Sequence, residues 1–120
     1  MPTTANAVNA VKADFEIVAK LVTDNKGQHA VPSIQNPMKI GKTVHYSSPD
    51  GEVRIEFREN GSPFLDPNGN VKTMITSNEP PILLSKPGQF VCHCFITTPN
   101  GKTFGWGPNS LQSGGNHDVQ

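Results

Sequence analysis

Apolar positions along this chain recur with two different periods, and the period sets the expected element in each stretch. From Glu52 to Glu59 the alternation is strict: Val53, Ile55 and Phe57 point one way, and Glu52, Arg54, Glu56 and Arg58 the other. A period of two defines a strand with one buried and one wet face, its charges solvated and paired across strands. From Phe90 to Thr97 the residues have strong strand preference. Phe90, Cys92, Cys94 and Ile96 share one face, with Val91, His93 and Phe95 on the other. Both faces are largely apolar, which predicts a central strand buried on both sides. Pro99-Asn100-Gly101 then reverses the chain, and Thr103, Phe104 and Trp106 return, completing a β-hairpin.

The N-terminal pattern fits two templates. Val8, Val11, Phe15, Val18 and Val22 fall three and four residues apart, which places them on one stripe of an amphipathic helix. Phe15, Ile17, Ala19 and Leu21 also alternate, as a strand would. Length and the alanines favour the helix. Asp24-Asn25-Lys26-Gly27 supplies its stop. Residues 28–41 carry Pro32, Pro37 and Gly41 and read as an extended linker, with Val31, Ile34, Met38 and Ile40 touching the core. Shorter strands are expected at Thr43–Ser47, Val71–Ser77 and Ile82–Ser85, with a last pairing at Asp118-Val119. Ser48-Pro49-Asp50-Gly51 forms a turn. Residues 107–115 are rich in Gly, Ser and Asn.

About seven short strands at this spacing predict an all-β chain folded as a β-sandwich with an N-terminal amphipathic helix. The expected organisation is residues 1–27 as helix, 28–41 as linker and 42–120 as the sandwich domain. The 11 glycines, 11 prolines and only 17% charged residues agree with a turn-rich β-domain. Lys plus Arg and Asp plus Glu each number ten, so no basic surplus exists to neutralise a nucleic-acid backbone, and low net charge favours self-association. No apolar run is long enough to span a membrane, and residues 1–16 lack the basic start and apolar core of a secretory signal. The chain as given therefore reads as cytoplasmic. Cys92 and Cys94 are expected to be buried, reduced thiols.

Within residues 42–120, the phrase Pro87-Gly88-x-Phe90-x-Cys92-x-Cys94 resembles the strand of cupredoxin-like domains that leads to their copper loop. Ser48-Pro49-Asp50-Gly51-x-Val53-x-Ile55-x-Phe57 is similar to a phrase of small bacterial cupredoxin-like domains of unassigned function. The resemblance implies an Ig-like or cupredoxin-like sandwich. A blue-copper site needs two imidazoles, a thiolate and a weak thioether. Here Phe95-Ile96-Thr97 follow Cys94, the next histidine is His117, and Met74 is the last methionine, so the ligand loop is missing. On an extended strand His93 faces away from both cysteines, which removes Cys92-His93-Cys94 as a metal site or a Cys-His nucleophile pair. His117-Asp118 has no serine in a nucleophile-elbow context. His29 and His45 stand alone.

No catalytic constellation, cofactor motif or metal set remains, and the chain reads as a non-enzymatic module. The expected function is a non-catalytic interaction or structural domain that self-associates, or binds another protein, through Val8, Val11, Phe15, Val18 and Val22; the competing role for this stripe is to cap the open end or edge of its own sandwich. The alternative is a metal-binding or redox cupredoxin relative; the third reading is a small enzyme without a recognisable signature.

Overall fold

The computed structural model describes residues 12–25, 27–105 and 116–120. These form strands β1 (Phe15–Asp24), β2 (Gly27–Pro32), β3 (Thr43–Ser47), β4 (Glu52–Glu56), β5 (Met74–Thr76), β6 (Ile82–Leu83), β7 (Gly88–Val91), β8 (His93–Thr97), β9 (Thr103–Gly105) and β10 (Asn116–Val119). No helix occurs among the described residues.

Three sheets share one core. The first has the order β2-β1-β3-β6, the second pairs β10 with β7, and the third runs β5-β4-β8-β9. Inward residues of the first sheet (Ile17, Ala19, Ala30, Val44, Tyr46) and of the third (Val53, Ile55, Ile75, Cys94, Ile96) belong to a single buried cluster, closed by Met38, Phe57, Phe64, Leu84, Phe90 and Val119. Each large aliphatic side chain buried there contributes about 1.5–3 kcal/mol.

The expected helix is corrected. Phe15–Asp24 is the longest strand among the described residues, antiparallel to β2 and parallel to β3. The alternation of Phe15, Ile17, Ala19 and Leu21 prevails over the 3.6-residue spacing. The segment is rich in β-branched residues, which fit a pleated surface, and the neighbouring strands satisfy its backbone. Where β3 ends, the Asp50 carboxylate accepts the Leu21 N–H at 2.8 Å and extends the edge. Val8 and Val11 lie outside the described residues. Part of the expected linker is strand as well: β2 places Ala30 in the core, and Met38 further on is fully buried.

The Phe90–Thr97 stretch is divided between two sheets. It pairs with β10 up to Val91, breaks at Cys92, and continues beside β4 and β9 from His93. Phe90, Cys92, Cys94 and Ile96 face the core, as the alternation predicts. The opposite face is only partly covered: His93 is buried, Phe95 half-buried and Val91 exposed. The Phe95 ring rests on Gly105, where a Cβ would lie 2.6 Å from Phe95 Cδ1. The Arg54 and Arg58 guanidiniums cover the ring at 4.5 and 5.5 Å from its centroid.

The β4 charges pair along their own strand rather than across it. Arg54 Nε donates to Glu56 at 2.6 Å, and Arg58 Nε donates to the other Glu56 oxygen at 2.8 Å. The cross-strand neighbours are Phe95 and Thr76 for Arg54, and His93 and Met74 for Glu56, so no carboxylate faces Arg54 and no Lys or Arg faces Glu56. Burial alone would raise the Glu56 carboxyl, but the hydrogen bonds and charges of Arg58 and Arg54 outweigh it and hold it below its ordinary value.

Candidate functional site

The Cys92-His93-Cys94 run sits where the chain passes from one sheet to the next. Cys92 and Cys94 are buried thiols, and burial pushes both up, Cys94 to about 12 and Cys92 further, with Cys94 and Glu59 adding to the Cys92 shift. Thiols so disfavoured as thiolates are poor nucleophiles and poor metal ligands. His93 points to the other side of the strand, where its Nε2–H donates to Glu59 at 2.7 Å. Among the described residues, no three of His, Cys, Asp or Glu converge as metal ligands. The residues present therefore do not fit the copper site that a cupredoxin likeness would imply. Elemental analysis of purified protein should find no stoichiometric copper or zinc. About one metal per chain, lost on Cys92→Ser or Cys94→Ser, would reinstate the metal-binding reading.

The other histidines are all engaged. On the outer face of the first sheet, His45 Nδ1 lies 2.8 Å from Glu16, its register partner on β1, and Nε2 donates to the Ser77 carbonyl at 3.1 Å. His29 Nε2 contacts Asp24 at 3.1 Å near the β1–β2 turn. His117 is completely buried, with Nε2 2.8 Å from the Tyr46 hydroxyl and the Phe57 ring packed edge-on at 5.1 Å. Nothing in the sequence distinguishes this core histidine from a surface one, because a Gly/Ser/Asn-rich stretch immediately precedes it.

Strand geometry separates the residues of the predicted stripe. Phe15 lies on the inward side of β1 with Ile17 and Ala19 and packs against the core. Val18 and Val22 lie on the outward side, with Glu16, Lys20 and Asp24. Val18, Lys20 and Val22 join Val31, Pro32 and Ser33 around an open groove of about 380 Å³. Register places Lys20 beside Val31, and the Ser33 N–H donates to the Val18 carbonyl at 2.9 Å, so the groove floor is rigid backbone. Val22 is 45% exposed. A second groove, of about 450 Å³, runs between residues 65–72 and 79–82, bounded by Pro67, Pro80, Pro81 and the Lys72–Glu79 ion pair. Neither groove brings together nucleophile, base and oxyanion donors.

Comparison with protein-family models, curated proteins and solved structures gave no match to this chain. Among the described residues, no helix is long and apolar enough to cross a membrane.

Proposed function

We propose that the chain is a non-catalytic interaction or structural module, an Ig-like or cupredoxin-like β-sandwich that self-associates through its N-terminal segment. The supporting observation is the apolar groove on the outer face of β1 and β2, with Val18, Val22 and Val31 around Lys20. The occupant is a second copy of the chain. Outward positions along β1 read Glu16, Val18, Lys20, Val22, Asp24, so charge and valine alternate with reversing sign. A two-fold axis through Val22 sets Lys20 of each copy against Asp24 of the other and packs valine on valine. An axis through Val18 pairs Lys20 with Glu16 in the same way. A pattern complementary to its own reverse suits an isologous contact, and zero net charge leaves little long-range repulsion to oppose it.

Molecular mass in solution tests this reading. Wild type should be dimeric, and Val18→Glu with Val22→Glu should be monomeric with an unchanged β-rich circular dichroism spectrum. On either axis one valine is buried by both copies. At about 1 kcal/mol per valine, its loss alone weakens association by about thirtyfold, before the repulsion between the introduced carboxylates is added. A wild type that is monomeric at high concentration would overturn the proposal. Deleting residues 1–27 is not an equivalent test, since it removes Ile17 and Ala19 from the core.

A further inference from the structure

The C-terminal strand β10 is a short clip set in a slot. On one side it pairs antiparallel with β7, from Asn116 opposite Val91 to Val119 opposite Gly88. On the other it runs beside residues 36–40. There the Met38 N–H donates to Asp118 at 2.8 Å, the Ile40 N–H to Gln120 at 2.9 Å, and the Gln120 N–H to Met38 at 2.7 Å. The Asn36 side chain bonds both the Asn116 carbonyl and the Asp118 N–H. The strand has only four residues, and the side chain it sends deepest into the protein is an imidazole.

That imidazole cannot accept a proton in place without loss. His117 has zero exposure, its Nε2 is engaged by Tyr46, and Nδ1 has no hydrogen-bond partner among the described residues. Phe57 packs against the ring at 5.1 Å and Tyr46 at 6.1 Å, while Phe64 closes the same aromatic group through its contacts with Tyr46 and Phe57. A charged ring there would lack both water and a counter-ion. We propose that protonation of His117 releases β10 from its slot, so that the C-terminal strand opens as a local unit on acidification while the β4–β8 sheet stays folded.

Charges elsewhere around the ring do not compensate. The groups facing it are Tyr46 from β3, Phe57 beyond β4, Phe64 within the same aromatic group, and the backbone of Phe90 from β7. Only Tyr46 titrates, and burial, with Cys92 and Cys94 nearby, pushes its phenol further above its ordinary range. Asp118 alternates to the other side of β10. Burial pushes His117 down to about 4 from an ordinary value of 6.5. The Phe90 backbone, opposite His117 in the β7–β10 register, opposes this in part. The released strand therefore binds the proton more tightly than the docked one. The docked state has its full stability above about pH 6.5 and loses it as the pH falls towards 4.

Amide hydrogen exchange, corrected for intrinsic rates, reads the opening directly. The reporters are the Met38, Ile40 and Gln120 amides, and the Ser77 amide, which donates to Val53 in the third sheet, is the reference. The opening constant at the reporters should rise about 20-fold between pH 7 and pH 5, with Ser77 unchanged. In His117→Gln, which carries no titrating group at this position, that rise should vanish. Reporters that are flat with pH, that follow Ser77 in parallel, or that keep the rise in His117→Gln would each overturn the proposal. If the variant does not fold, the wild-type comparison of reporters with Ser77 decides alone.

Discussion

Cys94→Asp should abolish folding, whereas Phe95→Asp, one residue further on, should leave a folded protein. Cys94 is fully buried between the sheets, opposite Ile55 on β4. A carboxylate there has no cationic partner. Keeping it charged, or forcing it to stay neutral at pH 7, costs several kcal/mol, about the whole stability of a small domain. Phe95 has the same strand preference but the opposite orientation. Its substitution removes ring packing over Gly105 and the cover of two guanidiniums, yet places the new carboxylate beside Arg54 and Arg58. A loss of about 2 kcal/mol is expected, seen as a lower Tm with cooperative melting retained. Soluble expression and a thermal melt of the two variants check the contrast. Equal loss of folding would show that both faces of β8 are core.

That contrast also marks how far the sequence could be read. The hairpin β8–β9 was legible because Pro99-Asn100-Gly101 has its own turn chemistry, and the structure closes it with Thr98–Lys102 and Gly101–Thr98 backbone bonds. The inward set Val53, Ile55 and Phe57 was legible because charge alternates with it without exception. At Phe15 to Val22 two periods overlap, and local spacing cannot choose between them. The choice is made by β3, about 30 positions away in the chain, whose parallel pairing satisfies the β1 backbone. The same long-range dependence hid His117: only the β7–β10 register, Phe90 opposite His117, turns it inward. The outer groove was half legible. Val18 and Val22 are recognisable as apolar residues beyond the needs of the core, but Phe15 shares their face only on a helix, not on a strand.

Gly51→Ala should cost more than Gly101→Ala, although both glycines sit at tight turns before a strand. A Cβ at Gly51 would lie 2.1 Å from the Thr97 carbonyl oxygen and 2.8 Å from its carbon, both backbone atoms of the neighbouring strand. Flexible side chains can move aside, but Thr97 is fixed opposite Glu52 by the β4–β8 ladder. Relief requires pulling β4 from β8 at the centre of the third sheet, at about 3 kcal/mol or more, or a fall in Tm of about 10 °C. At Gly101, φ is +89° and nothing lies within 4 Å of an added Cβ, so the penalty is backbone conformation alone. That is about 1 kcal/mol, or a few degrees. Thermal melts of the two alanine variants measure the difference. Equal shifts would mean that the Ser48–Gly51 turn moves away from Thr97 freely, and that the passage from the first sheet to the third is not fixed by this contact.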